Sequence, residues 1–144
     1  MTTTITIANP ILHGMHPDPS WIWDDEFQRI VLVTSTFELV PGLPIYVSED
    51  MTCWKHVSNV VDADLARRLL IPFVDDSGGV YAPTLRRIHG KYVIACTIAR
   101  LDDRRAMEGG CTESELMRFH AAEGNFILEA DSIEGPWHGP FWIE

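Results

Sequence analysis

The sequence is poor in cysteine and lacks the segments that direct a chain to or across a membrane. Its three cysteines, Cys53, Cys96 and Cys111, are odd in number and have no spacing typical of a zinc site. This pattern argues against a disulfide framework and predicts free thiols in a reducing compartment. No apolar run approaches the length of a membrane span, and the first residues have neither the basic nor the apolar region of a signal peptide. We therefore expect a cytoplasmic protein with no membrane partner and no metal site.

Basic residues are also scarce. The 144 residues include 11 lysines and arginines against 21 aspartates and glutamates, which gives a net charge of −10. Because no Lys/Arg cluster is present, the sequence lacks the positive surface that binds a phosphate backbone, and we expect no nucleic-acid partner. An acidic surface is compatible with a neutral small molecule as substrate. The hydrophobic fraction of 46% is that of an ordinary folded domain, and the length is sufficient for one core.

Short segments typical of β-strands recur through the chain. They are rich in β-branched and aromatic residues and are separated by turns that contain Gly, Pro, Asp or Glu. The most continuous of them predict strands that are buried on both faces, at 29–34 and 91–98. In chain order, the predicted strands cover residues 21–23, 29–34, 45–48, 53–57, 84–88, 91–98 and 125–130, and a last one starts at Trp137.

These strands fall into two sets with a similar layout. Each set opens just after a proline, Pro19 or Pro83, and continues as strand, turn, buried strand, loop, third strand, turn and a fourth strand near a tryptophan. Repeated four-stranded units are typical of β-propeller blades. An all-β sandwich has the same strand spacing, so the pattern by itself predicts an all-β fold and leaves both architectures open.

The residues outside these strands carry three further predictions. Residues 62–70 are the one good helical segment, with Asp62 as its N-cap and Pro72 beyond its end. Residues 102–120 are charged and predict a long loop, with at most a helical turn around 113–119. The tryptophans are expected in the core rather than at a binding surface, namely Trp21, Trp23, Trp54 and Trp142.

One acidic residue is framed by two prolines. Asp18 follows Pro17 and precedes Pro19, so both neighbours restrict the backbone, and Pro19 favours an extended conformation of Asp18. A carboxylate presented from such a stiff peptide suits a general base, whose position decides its efficiency first. An aspartate beside a proline is also a common turn residue, and without further context the turn is the simpler interpretation.

The residues around Asp18 favour a catalytic role for it over a turn. Residues 9–20, N-P-I-L-H-G-M-H-P-D-P-S, resemble the opening motif of glycoside hydrolase family 43, which carries the catalytic base. Three more segments resemble motifs of that family in the same order, at 34–46, 76–84 and 133–137. Each motif is weak alone. Their order over nearly the whole chain makes the sequence similar to the β-xylosidase and α-L-arabinofuranosidase group of the family.

The resemblance implies a five-bladed β-propeller within one domain, 1–144, to which this chain supplies two blades, at about 16–58 and 79–142. It implies hydrolysis of xylosidic or arabinofuranosidic bonds of short oligosaccharides, with inversion and without a cofactor. Asp18 takes the position of the general base, Phe37 an apolar position in the sugar pocket, and Tyr81 the place of a tryptophan that stacks on a sugar ring. The expected partner is a small carbohydrate, and two blades with uncovered end faces are expected to self-associate.

Some features of the family differ or are missing. Leu39 and Val40 stand where aromatic residues are usual. The third carboxylate and the general acid belong to motifs that are expected beyond the last predicted strand, and Glu134 resembles the acid motif only because Gly-Pro suits turns. Since a glycosidase divides its work between a base and an acid, a truncated, inactive chain that at most binds sugar weakly stays an alternative. A fructan-hydrolase family is another, which the context of Asp18 disfavours.

Overall fold

The computed structural model describes residues 4–143, which form two four-stranded antiparallel sheets and three short helices. The first sheet contains β1 (Ser20–Asp24), β2 (Arg29–Val33), β3 (Gly42–Ser48) and β4 (Lys55–Val61). The second sheet contains β5 (Val74–Ile88), β6 (Lys91–Leu101), β7 (Asn125–Ala130) and β8 (His138–Trp142). The helices are α1 (Ala63–Arg68), α2 (Asp103–Glu108) and α3 (Glu113–Ala121), and a 3-10 turn covers Ile71–Phe73. The all-β prediction is confirmed.

Both sheets are simple meanders. Their strand orders, β1-β2-β3-β4 and β5-β6-β7-β8, follow the chain. A sandwich with Greek-key connections would place strands out of chain order, so this order favours a pair of propeller blades. Strands β5 and β6 are joined by the two-residue loop His89-Gly90, whose residues both have positive φ, 49° and 83°, as the twist of a type I′ turn requires.

The core lies where the two sheets pack against each other, and α1 closes it at one side. The same face of the first sheet carries alternate residues of β2 and β3, and the facing side of the second sheet carries alternate residues of β5, β6 and β7. These side chains are fully buried and belong to one cluster: Val31, Val33, Ile45, Leu85, Ile94, Phe126 and Leu128. Burial of this apolar area holds the sheets together, at about 25 cal/mol per Å².

The three helices lie between strands. The predicted helix at 62–70 is confirmed as α1, where the side chain of Asp62 caps the N-terminus by accepting from the Leu65 amide at 2.8 Å. The prediction of a long loop over 102–120 is wrong, because this stretch forms α2 and most of α3, but the helical turn expected around 113–119 lies within α3. Asp102 caps α2, and Thr112 and Glu115 form a capping box on α3. No helix within residues 4–143 is long and apolar enough to span a membrane.

Each sheet has a second face, which points away from the shared core. Trp21 and Trp23 lie on this face of β1 and are 59% and 44% exposed, so their predicted place in the core is wrong. Alternation along β1 explains this, since Ser20, Ile22 and Asp24 point to the second sheet instead. Burial of β6 also alternates, which corrects the prediction that 91–98 is buried on both faces. In β2, by contrast, Ile30 and Leu32 are buried on this face as Val31 and Val33 are on the other, so the prediction of two-sided burial is confirmed there. The second face of each sheet therefore carries some exposed apolar side chains.

A buried carboxylate joins the sheets at one edge of the core. Asp24, at the end of β1, is 0% exposed and accepts hydrogen bonds from Arg87 of β5 and from the hydroxyl of Tyr92 on β6. The Arg29 guanidinium lies 3.7 Å from the same carboxylate. Burial, with the Asp24 hydrogen bond, raises the pKa of the Tyr92 phenol. Two guanidiniums and a hydroxyl compensate the cost of burying this charge, provided that all of them are in place.

Asp24→Ala should therefore lower the free energy of unfolding by about 3–5 kcal/mol, because it leaves Arg87 and Tyr92 without their buried partner. Urea unfolding followed by tryptophan fluorescence measures this loss. Asp64→Ala is the matched control, since Asp64 pairs with Arg68 on the exposed face of α1 and its loss should change stability little. Equal effects of the two substitutions would contradict a lock between the sheets at Asp24.

Candidate active site

Asp18 lies immediately before β1, on a strained backbone. Its φ is +50°, in the left-handed region, so the prediction of an extended Asp18 is wrong. Aspartate tolerates this region better than most residues, and a hydrogen bond from the Ser35 amide to the Pro17 carbonyl, at 2.9 Å, holds the turn. The carboxylate is exposed to solvent. A water molecule can therefore reach it, as a general base requires.

Two groups on different sheets bind the carboxylate of Asp18. The hydroxyl of Ser35, which follows β2, donates to Oδ2 at 2.7 Å. The amide of Ala82 in β5 lies 3.4 Å from the same oxygen and donates to the Ser35 hydroxyl at 2.9 Å. Asp18, Ser35 and Ala82 thus form one hydrogen-bonded group, to which both sheets contribute. Ser35 itself is fully buried.

An irregularity in β5 brings the Ala82 amide to this group. Between Tyr81 and Thr84 the register against β6 shifts by one residue, which is a β-bulge. Ala82 in this bulge has φ +46°, and its amide points to Ser35 instead of to β6. Phe37, on the other sheet, has φ +54°. Three non-glycine residues with positive φ, Asp18, Phe37 and Ala82, therefore meet at one place, and such strain clusters at functional sites.

The two aromatic residues predicted to bind substrate lie beside each other at the same junction. The rings of Phe37 and Tyr81 are 4.9 Å apart and nearly perpendicular. The backbones of Phe37 and Val80 form a two-way bridge, with N–O distances of 3.2 and 2.9 Å. The Tyr81 hydroxyl donates to the Ser77 carbonyl. Both rings are partly exposed, so they can present an apolar surface next to the Asp18 group.

A buried thiol lies beneath this junction. Cys96 of β6 donates to the Tyr81 carbonyl at 2.9 Å. Burial, with a smaller contribution from the Asp18 carboxylate, raises the pKa of the Cys96 thiol to about 12. The thiol is therefore neutral at pH 7 and serves as packing and as a hydrogen-bond donor. Ala82 and Cys96 also line a cleft of about 320 Å³, together with Thr84, Thr97 and Asn125, among others.

Glu134 and the histidines near Asp18 do not join the Asp18 group. The hydroxyl of Ser58 on β4 donates to the Ile133 carbonyl at 2.6 Å, which places Glu134 beside β4, at one edge of the first sheet. Asp18 precedes β1 at the opposite edge of that sheet, three strand spacings or about 14 Å away. Glu134 bonds instead to its neighbour Ser132. The side chain of His16 lies 3.1 Å from the His13 carbonyl, and residues 4–143 contain no group of three or more side chains placed to hold a metal.

The sequence interpretation missed two members of the Asp18 group, Ser35 and Ala82. Both lie within segments that resemble family motifs, at 34–46 and 76–84. A hydroxyl directly after a buried strand was the available signal for Ser35. No signal existed for Ala82, because it acts through its backbone amide and the bulge that turns it is set by the packing of the two sheets.

Gly79 permits the contact between the sheets at this junction. Its φ is +103°, and a Cβ added there would overlap the carbonyl group of Phe37. Gly79→Ala should therefore destabilise the protein by clearly more than the about 1–2 kcal/mol that a left-handed backbone alone costs. Chemical denaturation measures the effect. Gly90→Ala is the matched control, since Gly90 has φ +83° but nothing within 4 Å of an added Cβ. Equal losses in both variants would show that the close approach of Phe37 is unimportant.

Known proteins place this architecture in a family. The family model of glycosyl hydrolases family 43 matches residues 7–144. A non-reducing end alpha-L-arabinofuranosidase of Bacteroides ovatus is 35% identical over 140 residues, which are 96% of this chain and 22% of that protein. A xylan 1,3-beta-xylosidase of a Vibrio species is 34% identical over 139 residues, 95% of this chain and 22% of that protein. The chain therefore spans about a fifth of the length of these relatives.

Solved structures agree with the sequence comparison. A xylan beta-1,4-xylosidase of Bacillus halodurans superposes with a TM-score of 0.71 at 29% identity, covering 96% of this chain and 23% of that one. A Bacteroides ovatus xyloglucan PUL GH43B structure gives 0.72 at 33% identity, covering 94% and 23%. The matched proteins are five-bladed β-propellers, and the prediction of two four-stranded blades is confirmed. The chain belongs to glycosyl hydrolases family 43, and its two sheets are two blades of that family's propeller.

Proposed function

We propose that this chain supplies the general base, Asp18, of a glycoside hydrolase that cleaves xylosidic or arabinofuranosidic bonds of short oligosaccharides with inversion. The observation that carries the proposal is the Asp18 group itself. A solvent-exposed carboxylate stands on a strained turn and is held by a hydroxyl from its own blade and an amide from the next. This arrangement holds the carboxylate in place and leaves it accessible to water, which a general base requires.

The chemistry follows from which oxygen is free. Within residues 4–143, both hydrogen bonds to the carboxylate end on Oδ2, and Oδ1 accepts none. Oδ1 can then take a proton from a water molecule that attacks the anomeric carbon. In an inverting enzyme this water lies on the face of the sugar opposite the leaving group, and a separate acid protonates the leaving oxygen. No step of this reaction needs a cofactor.

The aromatic pair is proposed to bind the sugar. Phe37 and Tyr81 lie at the junction that also holds Asp18, and a sugar ring packs its apolar face against such rings. A neutral substrate suits a chain with a net charge of −10, which would repel an acidic one. The relatives named above act on xylosidic or arabinofuranosidic bonds by their descriptions, which is the basis for the proposed bond type. Short substrates accord with the expected cytoplasmic location.

Asp18→Asn in the natural protein should lower kcat on an aryl β-xyloside or aryl α-L-arabinofuranoside by about 10²–10⁴-fold, the usual contribution of a general base. Asparagine keeps the size and most of the polarity of the side chain but cannot accept the proton. Steady-state kinetics, with a melting curve for each variant, measures this. Asp25→Asn is the control, since Asp25 is an exposed aspartate in the β1–β2 turn. Near-normal turnover of Asp18→Asn would remove Asp18 from the role of base.

A second candidate function is weak sugar binding without turnover. The position of Glu134 favours it. Glu134 is the residue whose sequence context resembles an acid motif, and it lies beside β4, far from Asp18. Base and acid of an inverting enzyme are about 6.5–9.5 Å apart, which this pair does not approach. The kinetic experiment separates the two candidates when combined with NMR titration of xylose and arabinose. Shifts at Tyr81 without any turnover by the wild type would support binding alone.

The uncovered blade faces lead to a prediction for residues 1–144 expressed alone. Trp21 and Trp23 are exposed on the first blade, and Val93 and Phe141 lie at least partly exposed on the far face of the second. Apolar faces of this kind favour association. Size-exclusion chromatography with light scattering should show oligomers or aggregates. The double variant Trp21→Ser/Trp23→Ser should shift the population towards monomer, and a monodisperse wild-type monomer would contradict the prediction.

A further inference from the structure

Ser35 is buried at the point where the two blades meet, and it makes three hydrogen bonds there. Its amide donates to the Pro17 carbonyl at 2.9 Å. Its hydroxyl donates to Oδ2 of Asp18 at 2.7 Å and accepts from the amide of Ala82 at 2.9 Å. Ser35 therefore fixes both the backbone before Asp18 and the side chain of Asp18. It is fully buried, and its hydrogen bond to Asp18 goes to Oδ2 and leaves Oδ1 free.

The direction of the Ser35 hydroxyl is determined by its neighbours. A serine hydroxyl has one proton and can accept in its lone-pair directions. Because the Ala82 amide occupies an acceptor position, and the carboxylate of Asp18 can only accept when ionised, the proton must point to Oδ2. The carboxylate is thereby held in one rotamer. An exposed aspartate without such a partner would populate several rotamers.

We propose that Ser35 is a positioning residue, which ties Oδ2 of Asp18 to the second blade so that Oδ1 is presented to the attacking water. This inference rests on the proposed role of Asp18 as base. The contribution of Ser35 is geometric, since a base acts only within hydrogen-bond reach of the proton that it removes. The bulge at Ala82 supplies the other end of the connection, so the orientation of the base depends on correct docking of the second blade.

The test is a double-mutant cycle on the natural protein with an aryl β-xyloside or aryl α-L-arabinofuranoside. Ser35→Ala should lower kcat by about 10- to 100-fold, the effect of one hydrogen bond to a charged group, and leave KM nearly unchanged. In the Asp18→Asn background the same substitution should lower kcat no further, because Ser35 acts only through the Asp18 carboxylate.

Ser20→Ala is the matched control. The Ser20 hydroxyl also connects the two blades, by accepting from the Leu85 amide at 3.0 Å, but it makes no hydrogen bond to Asp18. It should lower the melting temperature about as much as Ser35→Ala and leave kcat unchanged. Ser35→Cys fills the site with a weaker donor and guards against misfolding of the alanine variant. Its kcat should fall between those of the wild type and Ser35→Ala.

The outcomes separate the inference from the function on which it rests. A large loss in Asp18→Asn, with a Ser35→Ala loss that disappears in the Asn background, supports both. If Asp18→Asn shows the expected large loss, but Ser35→Ala keeps the wild-type kcat or costs as much in the Asn background as in the wild type, Ser35 is structural and only this inference fails. If the wild type shows no turnover, or Asp18→Asn keeps it, the proposed function fails and this inference falls with it.

Discussion

The contact between the two blades determines the rest of the structure. Its middle is apolar and is held by the hydrophobic effect, which is non-directional. Its two ends are polar. At one end the buried Asp24 meets Arg87 and Tyr92, and at the other the Asp18 group meets the Ala82 amide. Hydrogen bonds to charged groups depend strongly on distance and direction, so these ends add directional constraints to the close packing of the core.

The candidate site exists only as a product of that contact. Neither blade alone contains it, because Asp18 and Ser35 come from the first blade and the Ala82 amide from the second. The positive φ angles at Asp18 and Ala82 cost free energy that the short turns could not supply by themselves. Packing of the blades against each other, with the hydrogen bonds that it allows, compensates this cost and holds both residues at these angles. Positive φ also occurs at non-glycine residues elsewhere in the chain, so the feature particular to this junction is that Asp18, Ser35 and Ala82 are joined by hydrogen bonds between the blades.

Sequence patterns predicted the eight strands and their division into two units, because strand periodicity and turn residues are local signals. They failed where the result depends on packing. The outward position of Trp21 follows from the side on which the second blade docks, and the left-handed Asp18 follows from its bonds with Ser35. Helix α2 was missed, and α3 was predicted only as a helical turn, for another reason. Their caps are local and readable, at Asp102 and in the Thr112 capping box, but the charged composition concealed them.

Strand β1 connects the two polar ends of the contact between the blades, the buried Asp24 ion pair and the Asp18 group. Asp18 and Asp24 lie six residues apart on nearly extended chain, about 20 Å, with the regular β1–β2 pairing between them. Side chains alternate along β1, so a slip by one residue would turn Trp23 into the interface and Asp24 out of it. The same slip would carry Asp18 away from the Ala82 amide. The ion pair at Asp24 therefore does more than hold the blades together. By making the slipped register unfavourable, it also sets the position of the proposed base at the other end of the strand.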